Sequence, residues 1–398
     1  MRNLWAKTTY DAITAMIRNG FTFCTASKIV LISIGLHFMI VFISAAMPVS
    51  SFTLGPMGFV NPNVSEINPL VDKFFKWDAH WYTYIAQTGY DSKSIVFFPM
   101  TILLIKLLVP FFQYDYPEAG FFICNIFSIA SFILLYALLR LDFTEELAGR
   151  ALLLYAVLPT SLFLNSIYTE PLFLTFALAG IYNARKGNWL YSGIYIALAA
   201  LTRNIGVFLL LFLLAEYWRQ TGERDIRSIA AAPKLPFLCP VVAVSGFILY
   251  NYLLTGDPLA FVHAQKYWGR EFSTPWENIR SSIRILSELP VSLATFSYLL
   301  DLIMVVGFFG GLLFLTFFRV GKIPYSYLLI GWIWFLIPLF SSASWLPLYS
   351  MSRFVLVVFP VYICLAGLPR FSYRVLVALC AAGLAFCTFL FTNWHWVG

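Results

Sequence analysis

Apolar runs of bilayer-crossing length recur from one end of this chain to the other, and no other feature limits its fold so strongly. Inside hydrocarbon every backbone N–H and C=O must find a partner within the chain, so only helices or a closed barrel can span. The runs lack the strict alternation of barrel strands and read as helices. They fall at 29–49, 119–140, 150–165, 168–184, 190–202, 205–218, 236–254, 293–318, 325–340, 354–369 and 373–392. Several are shorter than the roughly 20 residues of a typical crossing, which leaves their ends soft. The expected fold is an all-α polytopic membrane protein with about 11 transmembrane helices, a single domain over 1–398.

Composition closes the alternatives. Only 11% of the 398 residues are charged and 60% are hydrophobic, too little charge to dress the surface of a soluble protein of this size. Soluble enzymes, disordered chains and nucleic-acid binders are excluded. The net charge of +7 reads as the Lys/Arg bias of cytoplasmic loops rather than as affinity for an anionic partner. The six cysteines (24, 124, 239, 364, 380 and 387) sit in or beside apolar runs without a CxxC pair, so they are expected to pack.

Met1 to Lys28 is too polar for a cleaved signal peptide, which makes 29–49 an uncleaved first helix. A further apolar stretch, 95–112, carries Lys106 between Pro99 and Pro110 and is expected to be re-entrant or juxtamembrane. The domain then divides into a loop at 50–94, a transmembrane core at 95–254, a second loop at 255–292 and C-terminal helices at 293–392. Arg2, Lys7, Arg18 and Lys28, Arg185-Lys186, the basic run Arg219, Arg224, Arg227 and Lys234, Arg319 with Lys322, and Arg370 with Arg374 suit the cytoplasm. Both long loops then face outward, together with Asn165 to Glu170, Arg203-Asn204 and Ser341 to Arg353.

The first outer loop is the most informative. Wound as one helix, Phe74, Trp77, Trp81, Tyr84, Ile85 and Thr88 form a stripe, and Lys76, His80, Thr83 and Gln87 lie opposite. Such a helix belongs at the membrane interface, with Asp78 at the edge of the aromatic stripe. A partly desolvated carboxylate there suits a general base acting on a lipid-linked substrate. From spacing alone, an ion pair to Lys76, Arg203 or Arg353, or a helix cap, explains Asp78 equally well. Arg203 and Arg353, isolated at turns between apolar spans, suit a phosphate, or headgroups reached by snorkelling.

At this point the chain becomes recognisable. Lys76-Trp77-Asp78-Ala-His80-Trp81-Tyr82-Thr-Tyr-Ile-Ala-Gln-Thr-Gly-Tyr90 with Phe97-Phe-Pro99 resembles the first-loop motif of the GPI mannosyltransferase II (PIG-V) family, within the GT-C superfamily of membrane glycosyltransferases. Pro159-Thr-Ser161 with Tyr168-Thr-Glu170-Pro-Leu-Phe, Leu201-Thr-Arg203-Asn-Ile-Gly206, Gly256 to Gln265 with Trp268-Gly-Arg270, and Ser352-Arg353 with Phe359-Pro360 resemble further family segments in the same order.

The resemblance implies a GT-C fold and mannosyl transfer on the outer or lumenal face, from a polyprenyl-phosphate mannose donor to a glycan or glycolipid hydroxyl. It makes Asp78 the base of an inverting displacement. Glu170, at a helix start, is open to three roles: orienting the acceptor, pairing with Arg203, or a plain N-terminal charge. His263, Gln265, Trp268 and Arg270 offer sugar or phosphate contacts, with loop packing an equal account, and Trp77, His80, Trp81 and Tyr82 join the candidate substrate contacts by motif. Asp301 reads as an interfacial or packing acid. Scattered histidines and the absence of Asp-x-Asp point to metal-independent chemistry without a cofactor. The modest length favours a bacterial plasma-membrane enzyme, with the endoplasmic reticulum expected for a eukaryotic member. The rival readings are a GT-C transferase for another lipid-linked sugar and, in a different class, a secondary transporter or lipid flippase. Against the latter, no internal repeat is visible and the polar groups gather in two outer loops.

Overall fold

The computed structural model describes residues 20–47, 54, 56, 58–222, 234–290, 292–318, 323–343 and 346–398, with side chains from residue 26 onward and 294 excepted. Arg2, Lys7, Arg18, Arg224, Arg227, Arg319 and Lys322, invoked above for orientation, and the Cys24 side chain lie outside the described residues.

In chain order the helices are α1 (Gly20–Ala46), α2 (Pro69–Phe74), α3 (Asp78–Thr88), α4 (Pro99–Leu108), α5 (Tyr116–Leu139), α6 (Glu145–Val157), α7 (Glu170–Arg185), α8 (Trp189–Thr202) and α9 (Leu209–Thr221). They continue with α10 (Lys234–Thr255), α11 (Ala260–His263), α12 (Pro275–Glu288), α13 (Leu293–Phe318), α14 (Tyr325–Leu339), α15 (Met351–Phe354), α16 (Pro360–Ala366) and α17 (Arg370–Thr392). Local chemistry sets many starts. Asn68, Asp115 and Thr144 accept backbone N–H bonds at the first turns of α2, α5 and α6, and Thr274 with Glu277 forms a capping box on α12.

Among the described residues five helices are long and apolar enough to cross a membrane: Ala26–Ala46, Tyr116–Leu139, Lys234–Thr255, Thr295–Phe318 and Arg370–Thr392. The protein is therefore a multi-pass integral membrane protein. The other six expected spans are shorter and several are interrupted. The expected 150–165 is α6 followed by a 3-10 turn at Pro159–Leu164, and 205–218 opens with a 3-10 turn at Asn204–Phe208. Segment Pro99–Phe112 is an α-helical then 3-10 run reaching roughly 23 Å, short of the ~30 Å hydrocarbon core.

Helix α7 forms the centre. It is buried from Glu170 through Ile181, apolar on all sides as an enclosed helix must be, and packs between α5 and α8. Against α8 lies α10, so close that a Cβ on Gly193 would come within 2.3 Å of the Pro236 carbonyl oxygen.

Two features depart from the sequence reading. A short antiparallel ribbon, β1 (Arg270–Phe272) with β2 (Ser341–Ala343), adds strand to the all-α expectation and ties the second outer loop to the turn before Arg353. The interfacial helix is broken at Phe75–Trp77, where Trp77 takes φ +54°. In α3 the polar face is also the buried one. His80 and Thr83 are enclosed, because Asn61 donates to Thr83 Oγ1 at 3.0 Å and to Gln87 Oε1 at 2.8 Å, and its backbone N–H meets His80 Nδ1 at 3.3 Å.

Candidate active site

Four charged residues from separate parts of the chain meet at one end of α7. Asp78 opens α3, Glu170 opens α7, Arg203 follows α8, and Arg353 lies in α15. Arg203 Nη1 donates to Glu170 Oε1 at 2.7 Å, and Arg353 Nη1 donates to Asp78 Oδ2 at 3.3 Å. Arg353 Nε lies 3.3 Å from the same Glu170 oxygen, within ion-pair range but not aligned as a hydrogen bond. The Glu170 side chain is 1% exposed and that of Arg353 6%, whereas Asp78 is 25% exposed. Burial works against the Arg353 charge, and Glu170 and Asp78 more than offset it, holding its pKa above the ordinary arginine value.

The motif segments are the devices that place these groups. After α8 the chain turns at Arg203 and folds back so tightly that a Cβ on Gly206 would meet the backbone of Ala199 and Ala200 at 2.6 Å. Thr160 Oγ1 donates to the Ser352 carbonyl at 2.7 Å, anchoring α15. The Tyr168 hydroxyl lies 3.4 Å from both the Asp78 N–H and the Lys76 carbonyl, fixing the start of α3. Asp301 is fully buried and accepts the Ser352 N–H at 2.7 Å. The acid read as interfacial or packing thus acts on the helix that carries Arg353.

A cavity of about 470 Å³ opens beside the cluster, and its lining includes Asp78, Tyr82, Arg203, Gln265, Trp268, Arg270 and Arg353. Arg270 is held by Gln265 Oε1 at 3.3 Å and by the Tyr349 ring, 4.2 Å from its guanidinium carbon. The Nε–H groups of Arg270 and Arg353 are buried without a hydrogen-bond partner among the described residues. The guanidinium groups of Arg203, Arg270 and Arg353 in the cavity lining give it the cationic character that suits an anion. Burial, with the Asp78 and Glu170 carboxylates, pushes the Tyr82 phenol well up, so it stays a neutral donor.

Of the other residues singled out in the sequence, Trp77 and Trp81 line a second cavity that also touches Asp78. His80 lies outside both, packed against Phe75 and Trp394 with ring centroids at 4.0 and 5.7 Å. His263 pairs with Asp257 at 2.6 Å on an exposed stretch, outside the cavity lined by its neighbours Phe261, Val262 and Gln265. Asp72 bonds Lys76 at 3.0 Å, and among the described residues no three His, Cys, Asp or Glu side chains group as metal ligands. Tyr349, Trp394 and Trp396 also line the cavities and were missed. The available signal was Trp394-His395-Trp396, a cluster of aromatic residues just beyond the last apolar run.

The sequence matches the family described as Mannosyltransferase (PIG-V) over residues 24–346. The chain belongs to the PIG-V mannosyltransferase family. GPI mannosyltransferase 2 of Cryptococcus neoformans var. neoformans serotype D, in strains JEC21 and B-3501A, is 25% identical over 195 residues, 44% of this chain and 46% of that protein. The chain thus spans about half the length of these curated relatives. Among solved structures, an Archaeoglobus fulgidus oligosaccharyltransferase tethered to an acceptor peptide superposes with a TM-score of 0.50 at 11% identity, covering 92% of this chain and 55% of that one. That likeness concerns the fold, and it fits the GT-C architecture expected of the family.

Proposed function

We propose that this PIG-V family protein transfers mannose from a polyprenyl-phosphate mannose to an acceptor hydroxyl, at the membrane face that carries the Asp78 cluster. The observation that carries the reading is the meeting, in one cavity, of a quarter-exposed carboxylate with three arginines. The leaving group of such a donor is a lipid phosphate, and the arginines supply charge where that anion develops. In the step, the acceptor oxygen attacks the anomeric carbon, the bond from that carbon to the phosphate oxygen breaks with its electron pair leaving on the phosphate, and Asp78 takes the hydroxyl proton. Glu170 is held by Arg203 and lies close to Arg353, so it is not proposed as a nucleophile. A single displacement then inverts the anomeric centre, giving an α-linked product from a β-linked donor.

The test uses purified protein in lipid nanodiscs with labelled polyprenyl-phosphate mannose. Asp78→Asn should insert normally and lose about 10²- to 10⁴-fold in transfer, the usual contribution of a positioned general base. Unchanged transfer in that variant would refute the base assignment, and a wild type that never releases mannose from the carrier would refute the donor. We also propose that transfer needs no divalent ion, because arginines can hold the phosphate. Dialysis against EDTA should leave the rate within about twofold of its starting value, a barrier change well under 1 kcal/mol. A loss restored by added magnesium or manganese would reverse that part.

A further inference from the structure

Along its spanning stretch, Thr295–Phe318, helix α13 carries a single charged residue, Asp301. It stands six residues in from Thr295, roughly 9 Å along the axis, and is fully buried. An acid at that depth is costly to keep, and one that persists there is kept for a task inside the protein. The proposed transfer gives it no part. Its carboxylate is turned on a backbone group, with Oδ1 accepting the Ser352 N–H at 2.7 Å.

From the other side Thr160 Oγ1 donates to the Ser352 carbonyl at 2.7 Å. Both backbone polar groups of Ser352 are thus held, one by a spanning helix and one by the 3-10 turn at Pro159–Leu164. The next residue is Arg353. The turn that leads in is one its surroundings must impose, because Ser350 takes φ +63°. Arg353 is held less closely at its far end. Its contacts with Asp78 and Glu170 are both 3.3 Å, longer than the roughly 2.8 Å of a well-formed charge-assisted bond. The guanidinium therefore owes its place more to the clamped backbone than to its ion pairs.

We infer that Asp301, with Thr160, is a positioning residue for the donor phosphate: the two clamp Ser352 so that Arg353 meets the phosphate where its charge develops. Neither Asp301 nor Thr160 lines either cavity beside Asp78, so each acts through Arg353. A misplacement of about 1 Å at a positioned group can cost on the order of 10²-fold, and loss of either clamp is felt at the phosphate. The inference rests on the assignment of the cavity arginines to a lipid phosphate, and it names what aims one of them.

The test reads the phosphate separately from its chain. Full-length protein in phosphatidylcholine nanodiscs is titrated with farnesyl phosphate and with farnesol. Wild type should bind the phosphate at least about tenfold more tightly. Asp301→Leu should lose about tenfold for farnesyl phosphate, the worth of one charge-assisted hydrogen bond, and stay within about twofold for farnesol. Asp301→Asn keeps an acceptor oxygen for the Ser352 N–H and should recover most of the loss. Thr160→Val removes the second clamp and should lose several-fold, again for the phosphate alone, which keeps the inference testable should Asp301→Leu fail to fold. Farnesyl phosphate binding within about twofold of wild type in folded Asp301→Leu or in Thr160→Val would overturn it. So would no recovery in Asp301→Asn, or an equal loss for both ligands, the mark of a merely structural acid. A wild type that holds the two ligands alike would instead refute the arginines as a phosphate site, and this inference with it.

Discussion

Glu170 and Asp78 are both carboxylates facing arginines, yet burial gives them different parts. Glu170 is enclosed, takes an Arg203 N–H and lies close to Arg353, which fits a fixed counter-charge. Asp78 has one arginine contact and a quarter of its side chain exposed to two cavities, so it can meet a substrate. Spacing in the sequence left Asp78 balanced between a base and an ion-pair partner. The ion pair to Arg353 is present, and it holds the carboxylate at the cavity wall instead of removing it from use. His80 shows the reverse case, a motif residue enclosed away from both cavities. Burial lowers its pKa to about 4, with the nearby Lys76 charge adding to the effect. In the unfolded chain the group titrates near 6.5. Between those values the unfolded state binds a proton that the folded state refuses, so stability present above about pH 6.5 is lost as the pH falls towards 4. Thermal unfolding followed from about pH 7 down to about 4.5 should show a falling melting temperature in the wild type and a shallower fall in His80→Asn.

At the scale of elements, function depends on where helices stop. The wheel drawn through Phe74 to Thr88 assumed one continuous helix. The break at Trp77 makes two, and periodicity cannot register a backbone that turns through positive φ. The turn after α8 was legible as a motif, Leu201-Thr-Arg203-Asn-Ile-Gly206, but its purpose required the contact between Gly206 and the Ala199–Ala200 backbone. That contact yields a prediction. Gly206→Ala places a methyl where two backbones already touch and should destabilise the protein by about 1–3 kcal/mol. Because Arg203 sits three residues earlier on the same turn, the activity remaining in folded protein should also fall. A variant with the wild-type melting temperature and wild-type transfer would show that the turn can relax without moving Arg203.

Across the whole molecule, α7 joins two charged clusters roughly 23 Å apart, the rise of its 16 residues. At its start is the candidate site. At its end Arg185 pairs with Asp142 and donates to Glu216 at 3.1 Å, while Arg219, Gln220 and Ser326 also donate to Glu216. This second cluster gathers α7, α9, the turn after α5 and the start of α14. Its arginines, Arg185 and Arg219, are ones that the loop-charge bias placed in the cytoplasm. Removing the acid leaves Arg185 its pair with Asp142 and takes a partner from Arg219, Gln220 and Ser326, so Glu216→Ala should lower stability by about 1–3 kcal/mol, while transfer per folded molecule at low temperature stays near the wild-type value. A selective loss of transfer with unchanged stability would contradict that division of labour. Several properties follow from the sequence by itself: the membrane class, the helical character and the family motifs. They rest on local signals, since hydropathy, turn chemistry and residue order need no knowledge of what lies opposite. Only the tertiary structure decided which acids meet which arginines, that His80 is enclosed, that Asp301 supports the helix of Arg353, and that Trp394 and Trp396 return to the wall beside Asp78. Those are contacts between residues far apart in the chain, and burial or ion pairing at such a distance is set by packing rather than by any pattern a single segment carries.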